Sequence, residues 1–162
     1  MCYTYITPNL FVQAGADLGN PSPSVFPKAF SYCKGVQDSE QNLRTCYGGL
    51  GKEFVVLANR RDIRNIDKMN DSQLKTVYKW CNMAGVQNGV EACVLSALQS
   101  LFWGGENDPD ASIRFCNLVG DEYKGACFNS LISTAHLYIN DASRLQGICD
   151  KIPKAYNNQC QQ

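Results

Sequence analysis

Eight of the nine cysteines in this chain form a regular pattern of four pairs, which constrains the fold more than any other feature. The pairs are Cys33 with Cys46, Cys81 with Cys93, Cys116 with Cys127, and Cys149 with Cys160. Between the partners lie 12, 11, 10 and 10 residues, and the first cysteines recur at steps of 48, 35 and 33. A period of about 33–35 residues is the length of one helix–turn–helix unit in an α-solenoid. The pattern therefore predicts repeated helical hairpins.

The residues around the cysteines repeat as well. A large apolar residue precedes each first cysteine, and apolar residues follow each second cysteine at spacings of three and four, which mark one face of a helix. No stretch alternates with period two for long enough to suggest a sheet. We therefore predict an all-α fold, a short α-solenoid of hairpins that are each closed by a disulfide. Its predicted core includes Tyr32, Leu50, Trp80, Leu98, Phe115, Leu131 and Ile132.

The predicted domain organisation is an N-terminal arm, residues 1–24, followed by a helical repeat domain, residues 25–162. The hairpins are expected at about residues 25–59, 70–104, 109–139 and 141–162, the last of them incomplete. Asn70 precedes Gln73 by three positions, which is the spacing of a capping box. Asp108 precedes Pro109, a typical N-cap and first helical residue.

The cysteines are more consistent with disulfides than with a metal site. Packed neighbouring helices can bring two cysteines within the Cα separation of about 4.4–6.8 Å that a disulfide needs. Other pairings of eight cysteines are formally possible, but the sequential pairs recur together with their flanking residues. Zinc sites use Cys-x-x-Cys or similar spacings, which are missing here, as is the haem-attachment motif. We expect no metal and no cofactor, and a secreted, extracellular or periplasmic protein.

Charge and hydropathy exclude several classes of function. Fifteen basic residues balance fifteen acidic ones, so the chain lacks the broad positive field of a nucleic-acid-binding protein or of a membrane-surface binder. No apolar run approaches the ~18 residues of a transmembrane helix. The first twenty residues lack the basic and apolar regions of a secretory signal. A signal peptide is therefore expected to have been removed or omitted.

The paired cysteines and the period near 34 residues resemble disulfide-stapled Sel1-like and tetratricopeptide-like α-hairpin repeats of secreted bacterial proteins. The resemblance covers about residues 25–160 and is architectural. Sel1-like units carry an alanine-rich signature with a Leu-Gly pair and closer cysteines, whereas here only Leu50-Gly51 matches that signature. The resemblance therefore implies the fold, and no binding or catalytic residue is carried over from the family.

The single histidine does not predict catalysis. His136 lies nine residues after Cys127, and the equivalent positions of the earlier units hold Val55 and Phe102. This is a packing position, so we expect a structural or partly exposed histidine. One histidine cannot supply a two-histidine metal site.

The segment CYGGLGKE resembles a phosphate-binding loop only superficially. Cys46 and Glu53 stand where the P-loop pattern needs glycine and Ser or Thr, and no strand precedes the segment. We predict instead that its three glycines, Gly48, Gly49 and Gly51, allow two helices to approach closely.

Oxygen-bearing side chains crowd the loop after the second hairpin, at Glu106, Asn107, Asp108 and Asp110. A calcium site is one interpretation. The spacing is not that of an EF-hand, and capping explains Asp108, so an ordinary loop is preferred.

The function predicted from these observations is that of a non-enzymatic protein-binding or scaffold module, because solenoids expose extended surfaces and no catalytic constellation is recognisable. The alternative is an enzyme or ligand-binding protein with a pocket between repeats, using carboxylates such as Glu91, Glu106 or Glu122. A deep polar pocket with perturbed carboxylates would favour the alternative. A flat or concave apolar patch would favour the module.

Two segments are candidates for partner contacts, with a protein partner or a second copy of the chain. The first-to-second repeat step exceeds the next by 13 residues, around residues 59–70, and this insertion is either an interaction site or a plain solvated loop. The apolar arm either folds back over the first hairpin or docks on another subunit. The incomplete last repeat also suggests a larger assembly. The candidate contact residues are Tyr3, Tyr5, Phe11, Arg60, Arg61 and Arg64.

Two further positions are open to modification. Cys2 has no partner in the pattern, so it is a free thiol, an intermolecular bridge or a lipid anchor. Asn70-Asp71-Ser72 fits the N-glycosylation sequon, which matters only in a eukaryotic host.

Overall fold

A computed structural model describes residues 3–17, 20–36, 39–104 and 108–161 of the chain. Within these ranges the regular structure is entirely helical, as predicted. The eight α-helices are α1 (Tyr3–Gln13), α2 (Val25–Lys34), α3 (Glu40–Ala58), α4 (Asp71–Asn82), α5 (Gln87–Gly104), α6 (Asp110–Leu118), α7 (Asp121–Tyr138) and α8 (Ala142–Cys149). Two short 3₁₀-helices, Ile66–Lys68 and Asn158–Gln161, complete the described elements.

All four predicted disulfides are confirmed. Cys33–Cys46 joins α2 to α3, Cys81–Cys93 joins α4 to α5, and Cys116–Cys127 joins α6 to α7. The fourth, Cys149–Cys160, joins α8 to the last 3₁₀-helix. Their Cα atoms lie 5.5–5.8 Å apart, within the usual range for a disulfide. Each bridge therefore ties a shorter first helix to the element that follows it.

Consecutive hairpins pack side by side. The second helices of the hairpins lie next to each other, with α3 against α5 and α5 against α7, while α4 packs on α6. The contact between α3 and α5 is the most extensive one. The groove that is described in the next subsection lies along this interface.

The predicted role of the three glycines of α3 is confirmed. A Cβ atom on Gly48 would collide with the Ser96 side chain of α5, and one on Gly51 would collide with the Cys93 backbone. A Cβ atom on Gly49 would collide with Thr7 of α1. The three glycines therefore let α3 touch α5 on one side and α1 on another.

The predicted core is largely confirmed, with one error. Leu50, Leu98, Phe115, Leu131 and Ile132 are buried, and Trp80 is half-buried and stacked on Phe26.

The error is Tyr32, which is 37% exposed. Its equivalent in the second hairpin, Trp80, is covered by Phe26 of the preceding hairpin, with ring centroids 4.7 Å apart. Among the described residues, the hairpin that contains Tyr32 is the first, and none of the described hairpins covers that face. Burial at this position therefore depends on the neighbouring unit.

The N-terminal arm folds back over the first hairpin. Helix α1 packs on α3 and α2, and Phe11 is fully buried against Phe26 and Phe54, with ring centroids 5.2 and 5.9 Å apart. The interpretation of Phe11 as a partner contact is therefore wrong, because the side chain belongs to the core of this chain. The side chains of Tyr3 and Tyr5 lie outside the described part of the structure, as does Cys2.

The start of α4 is fixed by the predicted capping box. Asn70 Oδ1 accepts a hydrogen bond from Gln73 N (3.0 Å), and Gln73 Oε1 accepts one from Asn70 N (2.9 Å). At α6 the predicted cap is displaced by one residue, because Pro109 occupies the N-cap and Asp110 begins the helix, while Asp108 Oδ1 accepts a hydrogen bond from Asp110 N at 3.0 Å.

We expect the change Asn70→Ala to lower the free energy of unfolding by about 1 kcal/mol, because it leaves the Gln73 amide without its side-chain acceptor. Urea denaturation of both proteins measures the loss. Asn70→Asp keeps the acceptor and is the matched control. Equal stability of the alanine variant and the original protein would contradict the capping role.

Candidate protein-binding surface

The insertion between the first two hairpins is an ordered loop, residues 59–66. Asn59 is buried, and its Nδ2 donates a hydrogen bond to the Asp62 carbonyl at 2.6 Å. Gln73 Nε2 donates to Asn59 Oδ1 and to the Ala58 carbonyl, both at 3.1 Å. These bonds tie the loop to the start of α4.

Asp62 organises the tip of the loop. Its carboxylate accepts hydrogen bonds from Asn65 Nδ2 (2.7 Å) and from Arg64 N (3.1 Å). These two hydrogen bonds, the side-chain bond first, hold the pKa of Asp62 below its ordinary value. The carboxylate is therefore charged at neutral pH, and its hydrogen bonds stabilise the conformation of the loop.

Two arginines of the loop adopt a left-handed backbone conformation. Arg60 has φ of 53° and Arg61 has φ of 62°, a region that costs a residue other than glycine about 1–2 kcal/mol. The Arg61 amide donates to the Val56 carbonyl at 2.7 Å, and its guanidinium donates to Glu53 at 2.9 Å. Backbone strain of this kind is concentrated at functional sites.

The loop presents charge and apolar surface together. Residues 59–70 hold four basic side chains against two acidic ones. Arg60 and Arg64 are exposed, and neither side chain forms a salt bridge with another described residue, although the charge of Arg64 contributes to the lowered pKa of Asp62. Ile63 lies between them and is 65% exposed, so an apolar side chain is flanked by two cationic ones.

A continuous groove runs along the solvent side of the contact between α3 and α5. It has two sections, of about 220 and 360 Å³, which share Lys52 and Gln99. The α3 wall includes Gln41, Arg44, Thr45, Lys52 and Val56, and the α5 wall includes Ala92, Leu95, Ser96, Gln99 and Trp103. Spacings of three, four and seven place each set on one face of its helix. We call this feature the α3–α5 groove.

The groove ends at an exposed apolar patch, which we call the edge patch and define as Ile63, Trp103 and Tyr138. Ile63 and Trp103 both line the end of the groove. Trp103 is 48% exposed and makes an edge contact with Tyr138, their ring centroids 4.5 Å apart. Tyr138 is half exposed. Clustered exposed aromatic and branched side chains are typical of protein–protein contacts.

A second open groove, of about 690 Å³, lies between the end of α2 and the start of α5. Its described lining residues include Lys34, Tyr47 and Val86, of which Tyr47 is buried and Val86 is 44% exposed. Burial raises the pKa of the Tyr47 phenol. This groove has no exposed aromatic side chain among its described residues. We call it the comparison groove, because substitutions in it serve as controls for substitutions in the edge patch.

Two of the three residues proposed for the enzymatic alternative lie near the same side chain. Burial is the main cause of the raised pKa of the Tyr123 phenol, and the charges of Glu122 and Glu91 add to it. Glu91 is also paired with Arg44 at 3.4 Å, Glu122 is exposed at the start of α7, and Glu106 falls outside the described ranges. His136 is exposed, so the packing inferred from Val55 and Phe102 does not hold at this position. Helix α8, which follows α7, is short and makes only a small contact with it.

The other carboxylate with a shifted pKa also has a local cause. Asp121 accepts a hydrogen bond from Lys124 Nζ at 2.6 Å, and this bond lowers the pKa of the fully exposed carboxyl group. A buried general acid needs a raised pKa, which is the opposite shift.

The described residues contain no group of three or more His, Cys, Asp or Glu side chains that could hold a metal ion. None of the described helices is long and apolar enough to cross a membrane.

Comparison with known proteins gave no relative, since neither the protein-family models, nor the curated proteins, nor the solved structures contain a match to this chain.

The insertion and its arginines were predicted from the sequence as partner contacts, whereas Ile63 and Trp103 were not. The charged segment gave no clear signal, because Ile63 is 65% exposed whereas Ile66 of the same segment is buried. Trp103 follows Phe102, which belongs to the buried face of α5, and a neighbouring position on a helix points about 100° away.

Proposed function

We propose that this chain is a non-enzymatic protein-binding or scaffold module and works as a subunit of a larger assembly. Its contact surface is the edge patch together with the α3–α5 groove. The observation that carries the proposal is that Ile63 and Trp103 are both exposed and line the same end of the groove. Ile63 lies on the loop and Trp103 lies on α5.

Rigidity of the surface supports this function. Hydrogen bonds donated by Asn59 and Gln73 and accepted by Asp62 hold the loop, and the Cys81–Cys93 disulfide anchors the helix that carries Trp103. A surface that is already ordered loses less conformational entropy on binding, so more of its contact energy becomes affinity. Tryptophan, tyrosine and arginine, which are the residues present here, dominate the energetics of protein interfaces.

The same arrangement is poorly suited to the rival function. A ligand-binding enzyme needs an enclosed pocket that surrounds most of a small molecule. The grooves on this chain are open to solvent, Glu91 is paired with Arg44, Glu122 is exposed, and Glu106 lies outside the described ranges. We therefore place the enzymatic or small-ligand function second.

Four disulfides fit an oxidising compartment, since thiols in the cytosol are kept reduced. We propose a secreted, extracellular or periplasmic location. The solenoid identity and the likeness to Sel1-like and tetratricopeptide-like repeats belong to the same proposal, supported by consecutive hairpins that pack side by side. A second copy of the chain is the other candidate partner.

The change Ile63→Asp tests the function. We expect it to reduce the recovery of the native partner from the source material at least about tenfold, because it puts a charge into the centre of the apolar contact. Tagged protein is incubated with that material, and the bound partner is quantified by mass spectrometry. Since Ile63 is largely exposed, the fold itself should change in stability by less than about 0.5 kcal/mol.

The control is Val86→Asp, which places the same charge at a similarly exposed apolar position on the comparison groove. Partner recovery should be unchanged in this variant. If Val86→Asp removes the partner and Ile63→Asp does not, the binding surface is the other groove. If both variants keep every partner, the proposed surface is wrong.

A further inference from the structure

We propose that the α3–α5 groove binds an extended, acidic segment of a protein partner, with an apolar side chain of that segment against Ile63 and Trp103. The proposal rests on the proposed function, because it names the partner chemistry for the same surface. Charge, hydrogen-bonding capacity and length each support it.

The groove is cationic. Lys52 lies where the two sections of the groove meet, and its ammonium group has no carboxylate partner within the described ranges. Arg44 stands at the far end, where it meets Glu91 at 3.4 Å with both side chains about a third exposed. Such a partly exposed pair is weak, so a partner carboxylate can compete for Arg44. None of the described residues that line the groove is acidic.

The polar side chains of the groove suit an extended backbone. Gln41 and Gln99 are exposed, and their amides form no hydrogen bond with other described residues. Each amide offers a donor and an acceptor. A helical ligand satisfies its own backbone groups, whereas an extended segment presents free N–H and C=O groups to these amides. The amides therefore favour an extended segment.

The length of the groove limits the segment. From Gln41 to Val56 the α3 wall rises by about 22 Å, at about 1.5 Å per residue. An extended chain advances about 3.3 Å per residue, so the groove accommodates about six or seven residues. The acidic part would lie over Arg44 and Lys52, and the apolar side chain at the loop end of the groove.

Fluorescence anisotropy with defined peptides tests this proposal. The probes are a fluorescein-labelled peptide, Glu-Asp-Glu-Gly-Leu-Trp, and its counterpart in reverse order, since either chain direction fits the proposal. The control probes are the same peptides with lysine at the acidic positions. Unlabelled single-stranded oligothymidylate serves as a competitor that carries negative charge without an apolar anchor.

We expect one acidic peptide to bind at least about tenfold more tightly than its lysine counterpart. Lys52→Glu should weaken that binding at least about tenfold. Lys75→Glu, an equal charge change at an exposed position of α4 outside the groove, should weaken it less than about twofold. Smaller ratios, or displacement of the peptide by equal concentrations of oligothymidylate, would overturn the proposal.

The two proposals fail separately. If neither acidic peptide binds but Ile63→Asp still loses the native partner, the surface is correct and the partner chemistry is wrong. If Ile63→Asp keeps the native partner, the proposed function itself is wrong at this surface, whatever the peptides do.

Discussion

Removing the central disulfide, by changing Cys81 and Cys93 to alanine together, is expected to lower the free energy of unfolding by about 3 kcal/mol. The two cysteines are separated by 12 positions in the chain, and closing a loop of this size removes roughly that much free energy from the unfolded state. The bridge also joins α4 to the helix at the centre of the stack. Urea denaturation of the variant and the original protein measures the difference.

The last disulfide is the matched control. Cys149 and Cys160 are separated by 11 positions, so loop entropy alone predicts nearly the same loss. However, α8 and the last 3₁₀-helix touch little besides α7, and such terminal elements open without global unfolding. We expect the Cys149→Ala and Cys160→Ala pair to cost the main transition less than about 1 kcal/mol. If both pairs of substitutions lower the free energy of unfolding equally, the last hairpin does not open separately from the rest of the protein.

The change Gly51→Ala is expected to lower the free energy of unfolding by about 2 kcal/mol, although alanine is the better helix former. Its Cβ atom would meet the backbone of Cys93, which cannot rotate away as a side chain can. Forcing α3 and α5 apart costs about 1–3 kcal/mol by analogy with overpacked cores. This loss exceeds the gain of about 1 kcal/mol in helix propensity. Urea denaturation gives the net effect.

Gly125 is the matched control, because alanine has room at this position. It lies inside α7, and a Cβ atom there would meet no other atom within 4 Å. Gly125→Ala should therefore raise the free energy of unfolding by about 0.5–1 kcal/mol. If both substitutions stabilise the protein, α3 and α5 are not in the close contact that the structure shows. The sign of the effect, rather than its size, is the test.

Much of the fold was predictable because its strongest constraints are local. Disulfides between neighbouring helices leave cysteines at a short and recurring spacing, and the apolar faces recur every three or four positions. Capping also acts within one turn, so Asn70 and Gln73 could be paired from the sequence alone. The glycines of α3 were assigned correctly to close packing, although the sequence did not show which helix each one would meet.

The remaining errors concern surfaces that depend on a neighbour. Tyr32, Phe11 and His136 were misjudged because their burial depends on whether another element covers them, which spacing along one helix does not reveal. The edge patch could not be predicted from the sequence for the same reason, because its exposure depends on how separate elements pack. Ile63 and Trp103 are forty residues apart in the chain and meet only because α3 and α5 pack closely.

The most direct test of the binding surface is photo-cross-linking from within it. A benzophenone amino acid is placed at Ile63 in one variant and at Val86 in another, and each protein is irradiated in its native source material. We expect one discrete cross-linked protein from position 63 and none from position 86. A cross-link from position 86 alone, or none from either position, would contradict the proposed surface.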